Sequence, residues 1–230
     1  MKRPILLFLF FASLWTWTRA EEPPAHGPWK EYFADGKIKA EKFYRDGQLN
    51  GPFKEYYENE QIKSIENYYQ DNLTGANQYF YPNGNLKMVM NFKDGKLNGT
   101  SRDYNEDGTL KDEINYENDH INGISQEYGP NGLLYAVWNY KMDQKEGPSH
   151  TFYNNGQIEW EMNFKNGNLD GTNRKFSSEG KLLIEANYKD NQFDGLVREF
   201  YPNGKLKSEC RYVGGKRQGL CRNYHEKGNS

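Results

Sequence analysis

Enzymatic or metal chemistry needs nucleophiles, bases or ligands gathered in one place, and the histidines are the first residues to weigh. There are four, His26, His120, His150 and His225, too scattered to form a metal or acid–base motif. Glu159 and Glu161 stand at i, i+2, the spacing of one strand face, where two carboxylates could bind a cation or relay protons. The wet face of a sheet accounts for the same pattern. Asp-rich turns invite calcium, but none has the EF-hand loop with its closing bidentate Glu, and no glycine loop suits a phosphate. No catalytic residue, metal ligand or cofactor is therefore expected. The two cysteines, Cys210 and Cys221, are more informative, because they flank the turn signal Gly214-Gly215. On adjacent strands they would share a face, directly opposite or one diagonal step apart. In an exported protein such a pair suggests a disulfide; two free, packed thiols are the alternative.

The elements that position these residues follow from a glycine ruler. Gly27, Gly51, Gly75, Gly99, Gly123, Gly147, Gly171, Gly195 and Gly219 recur every 24 residues without an insertion. With that glycine as position one, position six is always Tyr or Phe (Tyr32 to Tyr224), position twelve Ile or Leu (Ile38 to Leu206) and position eighteen Tyr or Phe (Tyr44 to Tyr212). A period of this length marks a repeat array: eight full repeats and a ninth half repeat over 27–228, after a short lead at 21–26. Phrases such as Tyr81-Pro82-Asn83-Gly84 suit a three-residue hairpin loop closed by a left-handed glycine, which sets position six across from position twelve. A two-residue Asp-Gly loop at positions twenty and twenty-one sets position eighteen across from position twenty-three. The two hairpins then disagree in parity, and a bulge at the position-one glycine is expected to shift the alternation, so that rows six, twelve and eighteen all face inward. Trp138 and Trp160 share the parity of those rows and read as core. One unit buries too little apolar surface to offset the entropy of ordering its backbone. Stacking into one continuous sheet is required. The expected fold is all-β, an elongated single-layer array of antiparallel hairpins.

The chain opens with Met1-Lys2-Arg3-Pro4, an apolar run from Ile5 to Trp17, and Thr18-Arg19-Ala20. That is the layout of a signal peptide over residues 1–20 and predicts a secreted or periplasmic protein; an uncleaved N-terminal anchor is the alternative. The whole chain has 30 basic and 32 acidic residues; cleavage removes Lys2, Arg3 and Arg19 and no acid, leaving 27 against 32. An acidic surface argues against nucleic acid and makes membrane lipid an awkward partner. The composition is 16% aromatic with 35% hydrophobic residues, so tyrosine replaces much of the aliphatic content of an ordinary core.

The phrase GPSHTFYNNGQI, Gly147 to Ile158, and its in-phase copies resemble the MORN-repeat variant family, whose bacterial members include YwqK-type proteins labelled as antitoxins of toxin–antitoxin systems. The resemblance spans 27–228. It implies an elongated hairpin array used for binding or scaffolding, with no catalytic residues. The candidate binding stripe is position seven, Phe33, Tyr57, Tyr81, Tyr153 and Tyr201, which points away from position six and could grip a protein or stack on sugar rings. Covering and stiffening the outer sheet face is the plainer role for the same residues. The expected partner is another protein or a cell-envelope component, with self-association as the alternative.

Overall fold

The computed structural model describes residues 22–227; the expected leader at 1–20 and residue 228 lie outside the described residues. Within them the chain is all-β: 23 antiparallel strands in one open sheet, with no helix. The first repeat supplies β1 (Gly27–Tyr32), β2 (Ile38–Arg45) and a two-residue β3 (Gln48–Leu49), and the second opens with β4 (Gly51–Tyr56). The pattern recurs to the final strand, Lys216–Asn223, with the short third strand fused to the following one at Gln192–Phe200.

Both hairpins have the register that their turn residues imply. In the first repeat Gly36 N–H bonds the Phe33 carbonyl and Phe33 N–H the Lys37 carbonyl, closing a three-residue loop that sets Tyr32 opposite Ile38. In the second hairpin of the same repeat, Asp46 and Gly47 both have positive φ, 53° and 76°, the type I′ combination that matches strand twist, and Tyr44 faces Leu49.

The expected parity shift lies elsewhere. Between β2 and the β3–β4 segment, pairing passes from Tyr44↔Leu49 to Glu41↔Lys54, so two extra residues, not one, accumulate around the position-one glycine. Two extra residues preserve the alternation. The one-residue shift falls within the first hairpin instead, where Glu31 faces Ala40 but Tyr32 faces Ile38, leaving Lys39 at position thirteen as the bulge. In consequence rows six and eighteen occupy opposite faces. Row eighteen shares its face with positions three, five, sixteen and twenty-three: Phe53 lies 6.0 Å from Tyr68, and Phe193 stacks between Tyr188 and Tyr212 at 4.7 and 5.3 Å. Row six shares the other face with positions four and fifteen, as the Tyr56 hydroxyl donating to Glu41 shows.

Burial shows which face is inside. Rows six, twelve and eighteen are part-exposed, and Tyr32 is openly so. The buried side chains are small ones at positions three, five, fourteen and sixteen, among them Ala40, Ser64, Asn77, Ala136, Ser149 and Asn173, all on the row-eighteen face. No second layer exists among the described residues to cover them, so the sheet must curl with that face inward, where small residues are covered and larger ones such as Phe53 stay part-exposed. The two-residue insertion that permits the curl is held by a column of asparagines. Asn67, Asn91, Asn115, Asn139, Asn163 and Asn187 at position seventeen each donate an amide N–H to the position-two carbonyl of the next repeat. Three backbone N–H groups of the column turn to position-three side chains, Asn67 to Asn77, Asn139 to Ser149 and Asn163 to Asn173. These bonds replace ladder bonds lost at the insertion.

On the convex face Glu161, Arg174, Glu185, Arg198 and Glu209 form a ladder of ion pairs, with contacts of 3.6, 2.9, 3.2 and 2.8 Å along it. Each pair is part-exposed and contributes about 0–1 kcal/mol.

Two outcomes follow from this architecture. At Gly195 φ is +120°, and an added Cβ would meet the Asn187 Cβ at 3.0 Å. Gly195→Ala should therefore cost about 1–3 kcal/mol in urea unfolding, whereas Gly156→Asn, in an open turn, should cost little. Burial raises the phenol pKa of Tyr116, Tyr140 and Tyr188 along row eighteen, and burial followed by Glu66 raises Tyr79 to about 12. A raised folded pKa keeps the phenol neutral, so its stabilisation is complete below the ordinary value of about 10 and is lost as pH climbs through the folded one. Urea midpoints should fall between about pH 10 and 12, less steeply in Tyr79→Phe.

Candidate binding surface

The position-seven residues occupy the edge formed by the first hairpin turns, and all five are half-buried. Their hydroxyls are committed. Tyr57, Tyr81, Tyr153 and Tyr201 donate at 2.8–2.9 Å to the backbone carbonyls of Phe80, Tyr104, Phe176 and Tyr224, each in the next repeat. Phe33 occupies the same row without a hydroxyl. The stripe thus latches repeat to repeat, in line with the stiffening role.

Cys210 and Cys221 face each other directly and are joined, with Cα atoms 4.4 Å apart. The bridge staples the last hairpin, whose outer strand is exposed along nearly its whole length. The histidines remain apart: His26 pairs with Asp46 and His120 with Asp143, both at the surface. Glu159 and Glu161 are drawn to opposite faces, Glu159 to Lys175 and Glu161 to Arg174, because the position-thirteen bulge turns Glu159 inward. Among the described residues no three metal-capable side chains converge.

A different site emerges where repeat five breaks the pattern. Position eleven is polar in the other full repeats and Leu133 here; position thirteen is mostly Lys and Tyr135 here; position twenty is polar or Gly and Met142 here; position twenty-three is otherwise apolar in repeats one to seven and Lys145 here. Leu133, Tyr135, Met142 and Ile124 are all exposed, Tyr135 by 52%. Of the other exposed large apolar residues, Tyr32 and Phe43 sit in the first repeat and Leu220 in the last half repeat, each without a neighbouring repeat on one side; Val213 lies in the eighth repeat and Tyr69 in the second.

Beside Tyr135 the curl forms a cleft of about 480 Å³ on the concave face, lined by Trp138, Thr151, Glu159, Trp160, Met162, Leu169, Asn173 and Tyr188. Three repeats build it. Trp138 donates its indole N–H to Glu127 at 3.0 Å, and the Lys145 ammonium lies 3.1 Å from its ring centre. Burial pushes the Lys145 pKa down, against the opposing pull of Glu127. Lys175 lies 5.1 Å from the Trp160 ring and 3.6 Å from Glu159. Both indoles are therefore oriented by lysines. Thr151 and Asn173 are 7% and 2% exposed, and the Thr151 Oγ1 and Asn173 Nδ2 atoms have no hydrogen-bond partner in the protein. A wider hollow of about 850 Å³, lined by Lys93, Asp94, Asn98 and Glu117 among others, contains neither an indole nor such an unpartnered atom.

Seven segments, residues 25–48, 49–70, 73–94, 97–118, 145–166, 169–190 and 193–213, match the MORN repeat variant model. The chain belongs to the MORN repeat variant family. The segment between 118 and 145, most of repeat five, lies outside those matches. No curated protein matches. Among solved structures, the crystal structure of TcdB2-TccC3-Cdc42 aligns at 12% identity over 84% of this chain and 12% of that one, with a TM-score of 0.21, too slight a likeness to carry any argument. The YwqK-type antitoxin label has no counterpart among these matches.

Among MORN repeats bonded in this way, removing one edge hydroxyl should loosen two neighbours without emptying a core site. Tyr81→Phe and Tyr201→Phe should each lower stability by about 0.5–1.5 kcal/mol, read from urea midpoints.

Proposed function

We propose that this MORN repeat protein is an exported, non-catalytic binding or scaffolding module that docks a macromolecule on repeat five and the concave cleft beside it. One observation carries the reading: exposed apolar side chains in the interior of the array gather in the repeat that departs from its neighbours, next to a cleft walled by two indoles. A surface that only stacks repeats has no use for Leu133, Tyr135 and Met142 in positions elsewhere filled by polar or charged residues; a surface that captures a partner does. The signal-peptide-like start and the Cys210–Cys221 bridge support export, because disulfides persist in oxidising compartments. The scatter of the histidines supports a role without catalysis. An antitoxin-like role would call for a partner in the compartment of the toxin, and nothing in the cleft favours it.

The test is affinity capture on the immobilised protein from extracts and medium of its own cells, with bound protein read by mass spectrometry and bound glycan by monosaccharide analysis. Material retained by the native chain and by Tyr69→Ser, but lost from Tyr135→Ser and Met142→Ser, supports docking at repeat five. Equal retention by all four chains would move the docking surface elsewhere. Recovery of this chain alone would replace the reading by self-association.

A further inference from the structure

The cleft offers a specific chemistry. Its walls are flat aromatic faces, Trp138 and Trp160, with Tyr135 at the mouth. Its polar groups are few and complementary: Asn173 Nδ2 can only donate, the Glu159 carboxylate can only accept, and the Thr151 hydroxyl can do either. Two of them, Thr151 Oγ1 and Asn173 Nδ2, are buried without a partner in the protein, and an unpaired buried polar atom costs stability that a hydrogen-bonding ligand would restore. Asn77 stands at the same repeat position as Asn173 and also leaves its Nδ2 unpaired. The two repeats differ in the strand before that asparagine, where Ser64 and Glu66 hold the positions that Trp160 and Met162 hold at the cleft. The unpaired amide thus recurs in the array, and the aromatic wall beside it is what distinguishes the cleft.

We infer that the cleft is a glycan site, taking neutral pyranose rings of an oligosaccharide; this rests on the docking surface proposed above. A pyranose presents an apolar C–H face that stacks on indole, and neighbouring hydroxyls that both donate and accept, which matches the mixed set of Thr151, Asn173 and Glu159. A polyproline stretch would also suit aromatic walls, but it offers only acceptors. Strand addition is closed to a peptide here, because the cleft lies on a sheet face and not at an edge. Lys175 is tied to Glu159 and Lys145 to the Trp138 ring, so neither ammonium is free to select an acidic sugar. A volume of about 480 Å³ lies within the usual range for small-ligand sites.

Trp138 and Trp160 are two of the five tryptophans, so intrinsic fluorescence reports the site directly. The purified protein is titrated with cellohexaose and with a hexamer of N-acetylglucosamine, beside an oligogalacturonate and a proline-rich decapeptide. Saturable quenching by a neutral hexamer, insensitive to salt, is the expected result. Thr151→Val should weaken it about tenfold, the loss of one buried hydrogen bond, while leaving the protein at least as stable, because the hydroxyl has no partner to lose. Ser101→Ala, outside the cleft, should change nothing. Quenching only by oligogalacturonate, abolished by salt, would overturn the neutral-sugar assignment. Binding of the decapeptide alone, or of no probe while affinity capture still retains a protein through repeat five, would overturn the glycan site and leave the docking surface standing. No probe bound and no capture through repeat five would remove both.

Discussion

A sheet one layer thick has no second layer to bury its apolar face, and the rest of this structure answers that constraint. The sheet curls, and the curl depends on two extra residues placed between the short strand of one repeat and the first strand of the next. Asn67, Asn91, Asn115, Asn139, Asn163 and Asn187 hold that insertion by bonding the displaced carbonyls. The side chains buried on the concave face are small ones, and the larger rings on that face, Phe53, Trp138 and Trp160 among them, stay part-exposed.

Because the same bonds recur every 24 residues, each repeat is held chiefly by its neighbours, through asparagine staples, tyrosine latches and stacked rings. This makes the array tolerant of local change wherever the staple and the turns are kept. Repeat five keeps both, with Asn139 still bonded to Pro148 and Met142-Asp143 still forming a type I′ turn. It changes the residues that the scaffold does not need. The departures from the repeat are thus confined to side chains facing solvent or the cleft, where a binding surface can vary without cost to the fold.

The period, both turn types, both hairpin registers and the placing of Cys210 and Cys221 on one face of adjacent strands were legible in the residues, because turn geometry and i-to-j spacing are local; that the two are joined is read from the structure. The asparagine column is equally visible there: six successive copies of one polar residue at position seventeen mark a structural bond. Tyr135 was legible as an exception in a lysine row, though nothing local says that it faces a cleft. The position-seven tyrosines were legible as a row of their own, but their hydroxyl partners lie 23 residues away in the next repeat.

The sequence by itself determined the repeat, its strands and its turns, since each is encoded within a few residues. Only the tertiary structure decided which face rows six and eighteen occupy, because parity depends on where extra residues enter a ladder and glycine permits either count. It alone decided the cleft as well. Tyr135, Thr151 and Asn173 come from three repeats, and they line one space because the curl brings successive strands of the concave face together.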